Sequence, residues 1–449
     1  MTAARRTRAR LRAALAGGLL ALTGAAGCTQ GVLPSAPEPL TLVGPWTGEE
    51  EEDFKEVLAE FTEEHGIEVI YEGTNATQEL VLSSIQTGDP PDVAIQSGLG
   101  ELADYHRRGL LKRLPDGIVQ EGDYDPVWLP RPRGVTAHYW VPVKADLKSI
   151  VWHDRKNPPG DPAQPPDVSR WCIGMLSDAT SGWPGSDWIE DILLQQAGPD
   201  VYDDWATRLL DWDDPRMVEA WETWGRFMRG QDGADGTGGT AGTAGAGSAA
   251  ERALHTDHRG PDGKGGLLFD EGFPCELEHQ GSFLPSLYDD DRVRARLAFT
   301  PSATPSSSLL PGAAPRGNYR QVAADFAVML RDSPEARLLL THLVGQETQR
   351  KRAQDLTPPG YSAHNGVTAE MYPEGDEVSR GIVTEMRRAD RLCLDASDVM
   401  PPTIRRAFHD AVLHLLADPG QDLDTLLKEI QRAQEALPED TPAFESVCS

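Results

Sequence analysis

Two tryptophans and three carboxylates fall within nine residues of "GWPGSDWIED", residues 182–191. Such a set supports two chemistries. A pair of carboxylates can flank a glycosidic bond and hydrolyse it, one as acid and the other as base or nucleophile. The same groups can also hold a sugar without turning it over. Aromatic faces stack on ring C–H bonds, and carboxylates accept hydroxyl hydrogens in charge-assisted bonds. A plainer role competes with both. Asp187 reads as the N-cap of the helix "DWIEDILLQQAG", with Glu190 as its capping-box partner and Gly198-Pro199 as the stop. Trp188 then packs in the core with Ile192, while Trp183, ahead of a Pro-Gly turn, is the ligand contact. There is no G-x-S-x-G, H-E-x-x-H or Walker loop. His255 and His258 around Thr256-Asp257 are too sparse for a metal centre. No metal and no cofactor are expected, and binding without turnover and a glycan-active hydrolase or lyase both stay open on these residues.

The surrounding elements alternate. "LTLVGPW" (40–46) reads as a strand entering a turn, and "EEEEDFKEVLAEFTEEHG" as a helix. Phe54, Val57, Leu58 and Phe61 form its apolar face, and the acidic run from Glu49 to Asp53 suits its N-terminus. "IEVIYEG", "ATQELVLSSIQTG" and "DVAIQ" continue strand, helix, strand, which argues for a parallel sheet with covering helices. Farther on, "KSIVWHD" (148–154) and "CIGMLSD" (172–178) read as buried strands. "DPRMVEAWETWGRFMRG" reads as a helix with Pro215 in its first turn. "RARLAFTPSA" and "YRQVAADFAVML" read as strands, and "SPEARLLLTHLVG" as a helix capped by Ser333. The C-terminal stretch is helical. "GADGTGGTAGTAGAGSAA" is low-complexity sequence that follows no strand, so it is a disordered loop and not a nucleotide site.

At 449 residues the chain is too long for one ordinary core. Its net charge of −29 excludes nucleic acid as an electrostatic partner. Residues 1–27 pair the basic "MTAARRTRARLR" with the apolar "AALAGGLLALTGAA", fourteen residues long. That is a signal-peptide core, well short of the roughly 20 residues of a membrane span. It ends at "LTGAAGC", which resembles the lipobox of bacterial lipoproteins. The resemblance implies cleavage before Cys28, acylation of its thiol, and anchoring to the outer face of the cell membrane. Four cysteines remain, Cys172, Cys275, Cys393 and Cys448, an even number that favours disulfides in an exported chain. Of three pairings, Cys172–Cys275 is expected, leaving Cys393 with Cys448.

The order of these elements resembles the extracellular solute-binding proteins of ABC importers, most nearly the carbohydrate-binding group that includes the maltose-binding proteins. "TGDPPDVA", "RGLLKRL", "VKADLKSIVWHD", "GWPGSDWIED", "ELEHQGSF" and "LDASDVMPPTIRRAFHDAV" carry the resemblance, which runs from about residue 40 to about 435. It implies an α/β periplasmic-binding fold. Two lobes would be joined by a hinge crossed more than once, with the ligand in the cleft between them. The implied division is signal peptide 1–27, tether 28–39, lobe one 40–148, and lobe two 149–321 with the insertion at about 230–265. The chain would then return to lobe one at 322–372 and end as lobe-two helices at 373–449. The implied partners are a small ligand, a sugar or another solute, and the permease subunits of the importer, with the protein itself a monomer. By position in the family, Trp46, Glu49, Gln96, Gln280, Phe283 and Asp325 join Trp183 and Asp187 as ligand contacts. Asp395 and Asp398 read as caps of the last helices. His153 after Trp152 stands where many relatives have an aromatic residue.

Overall fold

The computed structural model describes residues 38–160, 167–230, 248–261, 263–313, 315–356, 358–418 and 420–449. The signal segment, the Cys28 anchor, nearly all of the tether and most of the Gly/Ala-rich insertion lie outside these residues. The N-terminal part alternates as its periodicity predicts: β1 (Leu40–Gly44), α1 (Glu49–His65), β2 (Val69–Gly73), α2 (Thr77–Thr87), β3 (Val93–Gln96) and α3 (Leu99–Arg107). β1 lies between β2 and β3 and runs parallel to both. The α1 residues Phe54, Val57, Leu58 and Phe61 are the ones it buries.

β4 (Trp140–Leu147) is buried along all eight residues, and β5 (Ile150–Asp154) follows after only Lys148 and Ser149. The two strands belong to different sheets. β5 is the middle strand of a small antiparallel sheet, between β6 (Leu277–His279) and β7 (Leu297–Pro301). Between β5 and β6 the chain forms α4 (Trp183–Ala197), α5 (Pro199–Ala206), α6 (Pro215–Arg229) and α7 (Ala249–Leu254). A short helix, α8 (Asp291–Arg294), precedes β7, and the hairpin of β8 (Ala303–Thr304) with β9 (Ser307–Ser308) follows it.

β10 (Tyr319–Met329) then completes the large sheet. One edge pairs antiparallel with β4 along Val322–Val328. The other edge carries β3 along Phe326–Met329 and β11 (Arg391–Leu394) along Tyr319–Val322. α9 (Pro334–Val344), capped by the Ser333 side chain, packs on β4 and β10. α10 (Gln346–Asp355) and α11 (Glu377–Arg388) follow. After β11, α12 (Ala396–Val399) leads into α13 (Pro402–Ala417) and α14 (Leu423–Glu435), which pack with α4 and α6. The result is a two-lobed α/β architecture. The chain passes between sheets at Lys148–Ser149 and between β9 and β10, and after β11 it leaves the large sheet for the helices α12–α14. Disulfides join Cys172 to Cys275 and Cys393 to Cys448, with Cα atoms 5.2 and 4.0 Å apart.

Two local readings are corrected. Residues 172–178 form no strand; the segment makes isolated bridges, Trp171 to Leu277 and Leu176 to Asp257. Gly174 lies directly against the backbone of residues 256–258, so a loop takes the place of a partner strand. The opening motif also starts its helix earlier than its residue types suggest. α4 begins at Trp183, with Pro184 and Gly185 inside its first turn, where the missing proline N–H costs nothing. Gly182 is the residue before the helix, at φ 104° with the His409 carbonyl 2.6 Å from where a Cβ would stand, so only glycine fits there. Asp187 is therefore no N-cap: it and Glu190 face inward from within the helix.

Candidate functional site

A cleft of about 500 Å³ opens between the two lobes, within the range of small-molecule sites. Its floor is one face of a strand. Residues two apart on a strand share a face, and Lys144, Asp146 and Lys148 therefore line the cleft in series where β4 runs out of the large sheet.

Each lysine is buried among carboxylates. Lys144 donates to Glu50 on α1 and lies 3.5 Å from Asp146. Burial opposes its charge, yet Asp146, Glu50 and Asp325 raise its pKa above the usual lysine value. Asp325 on β10 accepts 2.8 Å from the Trp46 indole N–H. Burial pushes that carboxyl up to about 6 against the pull of Lys144. Lys148 Nζ donates to Asp187 at 2.7 Å and lies 3.3 Å from Asp395, and it sits 4.7 Å from the centre of the Trp183 ring. Burial raises the Asp187 pKa well above the ordinary range. Asp395 is held below that range despite burial, by Lys148 and by its bonds from Ser397 and the Asp398 N–H. One ammonium thus keeps two buried carboxylates together where α4, β4 and α12 meet.

The motif's other carboxylates do different work. Asp191 accepts from Ser149, Gln195, Ser302 and His279 at 2.7–3.0 Å, and these bonds hold its pKa low although burial opposes it. Glu190 accepts from Gln321, Tyr202 and the N–H groups of Ala396 and Ser397, at the first turn of α12. Both are fully buried and neither lines the cleft. They tie α4 to the places where the chain passes between sheets.

Of the residues expected to touch ligand, Trp46, Glu49, Trp183, Asp187, Phe283 and Asp325 line the cleft. Trp46 does so although it is only 2% exposed, packed against Phe54 and beneath the Arg352 guanidinium. Trp183 is partly exposed, its ring edge against His258 and Phe283 nearby. Trp188 is core, among Trp171, Phe227 and His279. Two expected residues do not line the cleft. Gln96 is buried, and Ser97, just past the end of β3, lines the cleft instead. Gln280 turns to His258, 3.4 Å away. Asp395 caps α12, as its position suggests, and lines the cleft as well. Sequence reasoning missed Lys144, Asp146, Lys148, Arg405 and His409. Charged residues alternating along an otherwise apolar, buried strand were the available signal for the first three.

A buried polar atom without a partner is costly unless something binds it. Asp187 Oδ1 and His409 Nε2 are two such atoms on this cleft. Burial, reinforced by Arg405, lowers the His409 pKa to about 3, so its imidazole is neutral.

A model of the family described as bacterial extracellular solute-binding protein matches residues 47–250. The chain is 29% identical over 420 residues to the osmoprotective compounds-binding protein GgtB of Synechocystis, covering 88% of this chain and 92% of that one. It is 29% identical over 399 residues to the alpha-glucosides-binding periplasmic protein AglE of Rhizobium meliloti, covering 82% and 81%. Among solved structures it resembles a chitin oligosaccharide binding protein, with TM-score 0.64, 13% identity, and coverage of 88% of this chain and 98% of that one. It also resembles maltose-bound T. maritima MalE3, with TM-score 0.62, 13% identity, and coverage of 89% and 100%. At those identities the structural likeness speaks for the fold alone.

Proposed function

We infer that this chain, an extracellular solute-binding protein of an ABC transporter, holds a small neutral sugar of the α-glucoside type between its lobes and hands it to the permease. The observation that carries the reading is the cleft itself. Its polar groups come from both lobes and from the strands that pass between them, so one bound molecule contacts all three. A ligand that touches both lobes favours the closed arrangement by its differential contacts. Carboxylates and lysines in fixed pairs, beside a partly exposed tryptophan, suit a molecule with hydroxyls in its ring plane and C–H bonds on its face. The name of the relative AglE, an alpha-glucosides-binding protein, points the same way.

Binding without turnover is the better reading of the carboxylates. Glu190 and Asp191 do not reach the cleft, and Asp187 and Asp395 share one ammonium instead of flanking a gap for a glycosidic bond. The sequence adds a lipid anchor on Cys28 and a monomeric receptor to the proposal. Replacing Cys28 with Ser should release the protein from membranes of the producing cell; unchanged retention refutes the anchor.

The test of the reading is thermal unfolding of the purified protein with trehalose, sucrose, maltose and glucose, beside lysine, spermidine and a tripeptide. A ligand that binds only the folded state raises the melting temperature by mass action. A rise with at least one sugar and none with the others is expected. A rise confined to an amine or the peptide refutes the sugar.

A further inference from the structure

Away from the cleft, the last turns of two helices bring three metal-binding side chains together. Among the described residues, Glu64, His65 and His342 are the one such group, each offering an oxygen or nitrogen within 4.8 Å of the other two. Glu64 and His65 end α1, where Gly66 in the left-handed region stops the helix. His342 lies in the last turn of α9. Phe61, one turn before His65, packs against both imidazoles. Its ring centre is 4.8 Å from that of His65 and 5.4 Å from that of His342. Both rings are therefore held in place by packing, while the Glu64 side chain is exposed and free to adjust. None of the three lines the ligand cleft.

We propose that Glu64, His65 and His342 form a binding site for a divalent transition-metal ion of the zinc type, which clips α1 to α9. Two independent observations carry this. The first is distance. Glu64 Oε2 stands 3.8 Å from His65 Nε2 and 3.8 Å from His342 Nδ1. Both contacts are too long for hydrogen bonds. They are close to what an ion requires: with bonds of about 2.0–2.2 Å, neighbouring ligands of a tetrahedral zinc lie roughly 3.4 Å apart. A small rotation of the exposed glutamate closes the difference. The second is the field. Each histidine stands in the last turn of its helix, where free carbonyls form the negative end of the dipole and favour a cation. The Lys351 ammonium, which also acts on His342, is already paired with Glu60 at 2.8 Å. Two imidazoles and one carboxylate suit zinc, whereas magnesium and calcium take oxygen donors. Solvent at Glu64 supplies water for the fourth position. His342 Nε2 is buried without a partner. A ring that binds through Nδ1 thus lacks the outer hydrogen bond that usually strengthens such a ligand, so the site is a reversible one that a chelator empties. The sequence alone gives no sign of it, since no local spacing relates residue 342 to residues 64 and 65.

The experiment is calorimetric titration of the tag-free, full-length protein with zinc sulfate in a non-chelating buffer, beside magnesium and calcium chloride. It is repeated on Glu64→Gln, His65→Gln and His342→Gln, with melting temperatures recorded before and after zinc. The expected result is one zinc per chain, a melting temperature raised by several degrees and restored by EDTA, and no heat from magnesium or calcium. Each variant should bind zinc at least tenfold more weakly. His342 packs against Phe61, so its variant is the one most exposed to misfolding; Glu64→Gln changes an exposed side chain and tests the site without that risk. No zinc binding overturns the proposal. So does zinc binding that survives both Glu64→Gln and His65→Gln, which would place the ion elsewhere, and so do equal heats from magnesium or calcium.

Discussion

Replacing Trp183 or Trp188 with alanine should have opposite consequences, although the two residues are one helical turn and a residue apart. Trp188 is 2% exposed, its ring centre 4.7 Å from Trp171, 4.8 Å from His279 and 5.3 Å from Phe227. Nothing inside that cluster can relax to fill an indole's volume. Trp188→Ala should cost about 3–5 kcal/mol of stability and leave the affinity of whatever folded protein remains almost unchanged. Trp183 is partly exposed at the cleft, with the Lys148 ammonium 4.7 Å over its ring. Removing it forfeits part of an apolar burial and one cation–π contact, together about 1–2 kcal/mol of stability. It also removes the only partly exposed tryptophan face in the cleft wall. Binding should weaken by about 1–3 kcal/mol, roughly fivefold to a hundredfold. Calorimetry of sugar binding beside chemical unfolding separates the two effects. Intact affinity for Trp183→Ala, with a stability loss as large as that of Trp188→Ala, would make "GWPGSDW" a packing device and refute the assignment.

Lys148→Met leaves Asp187 and Asp395 buried without a counter-charge and should cost about 3–5 kcal/mol in denaturant titration. The double variant with Asp187→Asn should cost less than the sum of the two singles, and additivity would show that the pair is not coupled. Asp398 has its pKa raised to about 7, by burial first and the charge of Asp395 next. A carboxyl raised in this way contributes stability at acid pH that is lost as pH climbs through about 7. The melting temperature of the wild type should therefore fall more between pH 5.5 and 8 than that of Asp398→Asn, and equal slopes would refute the shift. Changing Cys172 and Cys275 together to serine opens a loop of 103 residues and should cost about 4–5 kcal/mol by the loop-entropy model. A loss below about 1 kcal/mol would show that the packing of Trp171 and Leu277 alone holds that edge.

What was legible in the sequence is what local physics decides. The α1 face, Pro215 at the start of α6 and the Ser333 cap each follow from spacing and from the chemistry of one turn, and they stand where the pattern puts them. The start of α4 failed because two signals compete there. Asp187-x-x-Glu190 fits a capping box, but the left-handed Gly182 under the His409 carbonyl starts the helix five residues earlier. That carbonyl belongs to a residue 227 positions away, which no local window sees. The placing of Gln96 failed as well. Gln96 is the last residue of β3, where β10 pairs with it from the far end of the chain and buries it, and Ser97, just past the strand end, reaches the cleft. Arg405 and His409 carried no local mark at all: they matter because α13 packs beside α4 and α12, a tertiary fact.

The central place of β10 has a consequence for how the chain reaches its fold. β4 has no strand partner in the large sheet other than β10, and β3 is bounded by β1 and β10. Yet β10 lies more than 170 residues after β4, beyond four major helices and the whole small sheet. A chain emerging from its N-terminus can pair β1, β2 and β3, but β4, apolar apart from Lys144 and Asp146, must wait as a strand of eight residues with both edges free. Such late, distant pairing raises contact order and slows folding, and an unpaired apolar edge is also a route to aggregation. For a cytosolic protein that delay would be a liability. For an exported chain, as proposed above, it is serviceable: the lobe that begins at the N-terminus cannot close into a compact body before the last third of the polypeptide has been made. The order of strands thus acts as a timer, keeping the protein threadable until its far end is available.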